Sequence, residues 1–454
     1  MSTPGSYSYH AGRLLVLGLP LVGGHLAQFA IHMTDTIMLG WYDVNALAAV
    51  VLGGTYFFVL FIFLSGFAMA VVPAVASAAS QNDDRQVRRV TRMAMWISVL
   101  AGGLTLPLFL FADRVLGMLG QVPETAELAG TYLRIAGFGM VPALLVMVLK
   151  SHLSALERTA IVLWVTLAAA VVNAVINYAL IFGNFGMPEL GVTGAAIASI
   201  IVQIVSILGV GAYAQWVLPH QALFQRVWRP DWEAFRNIFQ LGWPIGLTTL
   251  AEVGLFAASA IMVGWAGTID LAAHGIAIQL ASLAFMVHLG ISNAGTIRVG
   301  QAWGKGDAEA LKRVSVATNV VSGLFAAGAI VLFVLFPEAL LGAFIDPDDP
   351  ARPAVIAAGT TLLYVAALFQ LADAGQVQAL GLLRGMHDTK VPMVMAAISY
   401  WVVGVPSSYV IGFVLGYGAA GVWMGLVFGL SLAWVSMGWR LVTKIQSAGL
   451  EARV

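Results

Sequence analysis

Ile37-Met38-Leu39-Gly40-Trp41 returns as Ile261-Met262-Val263-Gly264-Trp265, displaced by 224 residues. The same displacement carries Gly18-Leu19-Pro20 onto Gly242-Trp243-Pro244, Leu47-Ala48-Ala49 onto Leu271-Ala272-Ala273, and Gly66 onto Gly290. It also carries Asp83, Arg88 and Arg89 onto Asp307, Lys312 and Arg313. One register held from about residue 18 to residue 89 marks a duplicated half. The fold therefore has to be read as two copies of one unit.

What surrounds the repeat identifies its solvent. The 454 residues are 60% hydrophobic and 10% charged, with a mean hydropathy of +0.90. A soluble domain carries about 25% charged residues, so this chain belongs in lipid. Apolar stretches lie near 14–40, 47–79, 93–112, 129–150, 160–182, 191–213, 238–265, 270–298, 314–336, 356–381, 391–415 and 418–440. Each is close to the roughly 20 residues that cross a bilayer as a helix. They are too long and too uniformly apolar for barrel strands of about ten alternating residues. Lipid admits only those two solutions. The expected fold is an all-α membrane protein, with twelve transmembrane helices in two pseudo-symmetric lobes of six. Six spans separate equivalent positions, so both halves run the same way through the membrane. The expected division is an N-lobe over 1–213, a linker over 214–237 and a C-lobe over 238–454, with a substrate site between halves.

The positive charges set the orientation. On one side lie Arg85, Arg88, Arg89 and Arg92; Lys150 and Arg158; Arg226, Arg229 and Arg236; Arg298, Lys305, Lys312 and Arg313; Arg384 and Lys390. Arg13, Arg440, Lys444 and Arg453 place both termini with them. Only Arg114, Arg134 and Arg352 fall on the other side. The basic side is expected to be cytoplasmic. No cleavable leader is expected, since residues 1–12 are short and polar. A net charge of +0 gives no reason to expect a nucleic-acid partner, and the absence of cysteine excludes disulfides and thiolate metal sites.

Three acidic residues fall inside apolar spans: Asp35, Glu252 and Asp373. A charge at mid-bilayer costs at least about 2.5–3.5 kcal/mol. Three such costs are large against a net stability of about 5–15 kcal/mol. A carboxyl group out of water favours its protonated form, so such a group can exchange protons. With carbonyl or hydroxyl neighbours it can instead hold sodium. The competing reading is structural, each acid being satisfied by a hydroxyl or amide on a neighbouring helix. The repeat weighs against it: Asp35 aligns with Ser259, and Glu252 aligns with Gln28, so the acids break the symmetry.

Asn173 and Asn177 add amides four residues apart on one helix face. They serve either as interhelical glue, worth about 0.6 kcal/mol per contact, or as ion or substrate ligands. His25, His32, His152, His274 and His288 form no metal pattern and read as packing or interfacial groups. No zinc-protease, phosphate-loop or nucleophile-elbow motif is present, so no enzyme activity and no cofactor are expected.

Several segments resemble the multidrug and toxic compound extrusion (MATE) family. They are HMTDTIMLG at 32–40, GNFGMPELGVTGAAIA at 183–198, AIQLASLAFMVHLGISNAGTIRVGQAWGKGD at 277–307 and QLADAGQVQALGLLRGMHDT at 370–389. Four such segments in order, with acids in the second half, are most similar to the NorM-like branch. The resemblance implies a monomeric exporter in the bacterial inner membrane. It would exchange organic cations and fluoroquinolone-like drugs for Na+ or H+, with lipid as its other partner. It implies that Glu252 and Asp373 bind the coupling cation, with Asp35 and Asn173 as the first-lobe counterparts. Where that branch often has a tyrosine one turn before the span 10 acid, this chain has Phe369. Where another branch has a second span 5 acid, this chain has Asn177.

Other classes fit less well. Asp84-Arg85-Gln86-Val87-Arg88-Arg89 resembles a major-facilitator loop but lacks its glycine at Val87. A lipid-precursor transporter would carry more in-span cations, and a membrane-embedded transferase would need a His/Asp cluster. A passive channel is separable from a carrier by counterflow.

Overall fold

The computed structural model describes residues 6–451, which leaves Arg453 outside the described residues. It is helical, and among the described residues twelve helices are long and apolar enough to cross a membrane. They are α1 (Tyr7–Tyr42), α2 (Val44–Ser80), α3 (Asp84–Leu110), α4 (Pro123–Ala155), α5 (Thr159–Phe182) and α6 (Gly191–Val217). The second set is α7 (Trp232–Ala266), α8 (Thr268–Gly304), α9 (Ala308–Leu335), α10 (Arg352–Gly385), α11 (Lys390–Val414) and α12 (Gly418–Gly449).

The helices outrun the apolar stretches because polar residues start them. Asp83 caps α3 by accepting from the Gln86 N–H at 2.9 Å, and its repeat partner Asp307 caps α9 by accepting from the Ala310 N–H at 2.9 Å. Such a cap satisfies an orphan amide and contributes about 1 kcal/mol. Arg85, Arg88, Arg89 and Arg92 thus stand on the first turns of α3 rather than in a loop. The linker is shorter than expected, because α6 continues to Val217 and α7 begins at Trp232. Asp231 accepts from the Ala234 N–H at 3.1 Å and so fixes the start of α7.

Contacts gather the chain into two compact units, Gly23–Gly246 in one, and the chain up to Val22 with Leu247 onward in the other. The boundary falls inside α1 and α7, not in the linker. Gly18 of α1 packs on Gly290, Ile291 and Ala294 of α8, whereas Gly242 and Gly246 of α7 pack on Phe63, Phe67 and Gly66 of α2. Each of these helices carries a proline close to its crossing point, Pro20 in α1 and Pro244 in α7. Proline removes one helical hydrogen bond and permits a bend there.

Within the first unit, α4 is the hub, packing on α2, α3 and α6. Within the second, its repeat counterpart α10 packs on α8, α9 and α12. Polar pairs stitch α10 to α8: Ser292 Oγ donates to the Val377 carbonyl at 2.9 Å, and Thr296 Oγ1 to the Gly381 carbonyl at 2.8 Å. Gln378 donates to the His288 carbonyl and to Ser322 Oγ, each at 3.0 Å. His152 bonds with Thr91 at 2.9 Å, and His288 with Ser322 at 2.8 Å, which gives both histidines the packing role expected.

Small residues form the seam between α11 and α12. Gly404, Ser408 and Gly412 on α11 meet Gly429, Gly425 and Gly421 on α12. Side chains at every fourth position share a face, so backbone meets backbone at three consecutive turns. The seam persists although α11 widens into π-helical turns at Ile398–Gly404 and Val410–Val414.

The linker segment is fastened to α3. Arg92 donates to the Leu223 and Ala222 carbonyls at 2.9 Å each, and Trp96 Nε1 donates to the Val227 carbonyl at 2.7 Å. Arg89 closes on Asp231 through Nε at 2.5 Å and Nη2 at 3.1 Å, and reaches Glu233 at 2.7 Å. The Arg89 guanidinium, through these hydrogen bonds, holds the Asp231 carboxyl below its ordinary value of 3.8. A depressed carboxyl pKa stabilises the fold above the unfolded value, and that contribution disappears as pH falls through the folded value. Arg89→Gln is therefore expected to speed amide exchange across 218–231 at pH 7. The parent should approach the variant below pH about 4. Hydrogen exchange with mass spectrometry checks this, and equal protection of parent and variant at pH 7 would contradict it.

Candidate functional site

The three in-span acids fall into two groups, one in each unit. In the first, Asp35 of α1 is half-buried, and Asn177 Nδ2 of α5 donates to its Oδ1 at 2.5 Å. Asn173, one turn earlier, reaches the same carboxylate. Both asparagines are buried, and the Oδ1 of each has no hydrogen-bond partner among the described residues. The amide nitrogens turn toward the carboxylate, and the two buried carbonyl oxygens are left as acceptors beside it, which suits a cation. Tyr132 of α4 lies within electrostatic range of Asp35, a neighbour that its apolar sequence context did not reveal. Gln28 stands half-buried two turns before Asp35 on α1.

The second group is drier. Glu252 of α7 is 9% exposed and Asp373 of α10 is 1% exposed, and the two carboxylates sense each other's charge. Both oxygens of Asp373 and Oε1 of Glu252 have no hydrogen-bond partner among the described residues. Buried acceptors without partners are uncommon and costly.

An aromatic layer closes this pair on one side. Phe256 stands one turn after Glu252, and Phe369 one turn before Asp373, and their rings meet edge-on with centroids 6.0 Å apart. Phe369 also packs edge-on against Trp423 at 5.5 Å, and Trp423 Nε1 donates to His274 Nδ1 at 3.0 Å. Phe369 is thus a packing residue in this arrangement, with no polar atom to offer.

The phenol comes from elsewhere. Tyr400, fully buried on the π-helical turn of α11, accepts from Gln376 Nε2 at 2.6 Å, and its hydroxyl lies within electrostatic range of Glu252, Asp373 and Arg384. Arg384 stands in the last turns of α10 rather than in a loop, half-buried, and acts on Glu252. The sequence offered two signals for this set. Gln376 follows Asp373 by three residues on one helix face, and Arg384 follows it by three turns. Tyr400 carried no signal of its own. Among the described residues no three His, Asp or Glu side chains gather into a metal site.

The MatE family's sequence profile matches the chain twice, over residues 20–179 and 244–410, and the two matches begin at the displacement of the internal repeat. The chain belongs to the MatE family. A probable multidrug resistance protein NorM from Agrobacterium fabrum is 46% identical to this MatE chain, over 100% of the chain and 98% of its own length. A Rhizobium meliloti relative of the same description is 46% identical over 96% of this chain and 94% of its own. Among solved structures, a MATE crystal structure in a bent conformation superposes with TM-score 0.88 at 19% identity, covering 100% of both chains. An outward-facing multidrug resistance MATE transporter superposes with TM-score 0.87 at 19% identity, covering 99% of both. These last two likenesses speak for the MatE fold alone. This MatE protein is a multi-pass bacterial membrane protein of a transporter family.

Proposed function

We propose that this protein is a secondary active multidrug exporter that expels organic cations and fluoroquinolone-like drugs in exchange for Na+ or H+. The observation that carries the proposal is the Glu252–Asp373 pair, two buried carboxylates with oxygens that lack partners among the described residues. A cation would satisfy them, and its departure would leave them uncompensated. That difference in stability is what ties an ion gradient to a change of shape. In the outward-facing state the pair takes the cation and drug leaves; in the inward-facing state the cation leaves and drug enters.

Phe369, at the turn where a hydroxyl would help hold sodium, favours the proton. Tyr400 and Gln376 give the opposing option of altered sodium coordination. Asp35 with Asn173 and Asn177 supplies a second cation position in the first unit. The relatives described as multidrug resistance proteins support the drug class. The charge asymmetry supports cytoplasmic termini, and a monomer in lipid needs no further partner.

The test is drug efflux from reconstituted vesicles, with sodium and proton gradients imposed one at a time. Ethidium or norfloxacin should move against its gradient under at least one of them. Efflux that persists equally with neither gradient, or obeys channel-like equilibration without counterflow, would overturn the proposal.

A further inference from the structure

Three arginines of the first unit lie together, with Arg92 at their centre. Arg88 and Arg92 stand one turn apart on α3, and Arg226 lies in the segment between α6 and α7. The positive charges of Arg88 and Arg226 act on Arg92, and no carboxylate is among the charges that do. Of the acids in this region, Asp231 and Glu233 close on Arg89 and Asp83 caps α3, while Asp84 stands one turn before Arg88. Arg92 spends Nε and Nη2 on the Leu223 and Ala222 carbonyls, which fixes it while leaving Nη1. Arg88 donates to the Gln221 carbonyl through Nη1 at 3.4 Å. Arg226 is exposed and has a left-handed backbone, φ 54°, which few non-glycine residues adopt.

The repeat shows that this cluster is not a by-product of the fold. At the equivalent place in the second half, Arg88 becomes Lys312 but Arg92 becomes Val316, so the pair of basic side chains one turn apart is not repeated. The cluster also sits where a membrane surface must lie, at the ends of α3, α6 and α7. Exposed aromatics accompany it: Trp216 at 80%, Trp228 at 76% and Trp232 at 66%. Tryptophan favours the headgroup level of a bilayer, and clustered arginines there attract anionic lipid. Guanidinium groups match phosphate oxygens in fork geometry.

We propose that Arg88, Arg92 and Arg226 bind the phosphate of an anionic phospholipid headgroup. The assignment is independent of what the protein transports.

The test titrates the detergent-purified full chain with phosphatidylglycerol and with phosphatidylcholine of equal chain length, reading bound lipid by native mass spectrometry. Phosphatidylglycerol should bind preferentially. Arg226→Gln should weaken it about fivefold and the Arg88→Gln/Arg226→Gln pair about thirtyfold, while Arg226→Lys, which keeps the charge but not the fork, restores only part of the loss. Arg229→Gln, an exposed arginine of the same segment outside the cluster, should change nothing. Equal binding by the double variant and the parent would overturn the proposal. So would equal binding of phosphatidylcholine, or displacement of the lipid by inorganic phosphate at the same concentration, which would make this a free-anion site. Should the double variant fail to fold, the exposed Arg226 single variant decides by the same fold-change.

Discussion

Glu252→Gln and Asp373→Asn are each expected to remove ion-driven drug efflux while leaving the protein in the membrane at parental level or above. The two halves of that expectation have one cause. A charge at mid-bilayer costs at least about 2.5–3.5 kcal/mol, and an amide never carries that charge, so each substitution relieves a burden on the fold. The same substitution removes the charge whose compensation distinguishes the loaded from the empty state. Coupling energies of this type amount to about 5- to 150-fold in affinity, and the gradient-dependent component of efflux should fall by that order. Thermal unfolding in detergent and ethidium efflux from a pump-deficient strain read the two effects separately. Variants that export like the parent under every ion condition would refute the coupling role. Variants that are scarce in the membrane would refute the idea that these acids burden the fold.

The second large effect concerns packing. Gly425→Val should cost about 3 kcal/mol or more, because any side chain at this position of α12 would occupy the place of the Ser408 backbone on α11. Neither neighbour can yield, since the obstacle is main chain and not the end of a flexible side chain. Against a total of about 5–15 kcal/mol, a loss of that size lowers membrane abundance several-fold. Gly438→Val, on the same helix, meets nothing within 4 Å and is the matched control. If both variants unfold at the same temperature, the seam does not contribute as described.

Much of this was readable from the chain alone. Twelve spans follow from the length of apolar runs, and the repeat from a single register linking Ile37–Trp41 to Ile261–Trp265. Asn173 and Asn177 share one helix face, as their spacing suggested, and that face meets Asp35. What escaped depends on partners distant in sequence. Tyr400 is one more aromatic in an apolar helix until Gln376 is seen against it. Arg384 looked like a loop residue because charge usually ends a span, yet α10 continues past it. The clamping of 218–231 onto α3 uses backbone carbonyls, which every residue possesses, so no composition signals it. The glycines of α11 and α12 were equally silent, since glycine every fourth residue is common in spans and only pairing with a second such helix gives it meaning.

That pairing has a mechanical consequence. With main chain touching main chain at Gly404, Ser408 and Gly412, no acyl tail can wedge between the two rods, and neither can slide past the other without a clash. The hairpin they form travels as a single stave, and whatever flexes during turnover has to flex in another part of the molecule.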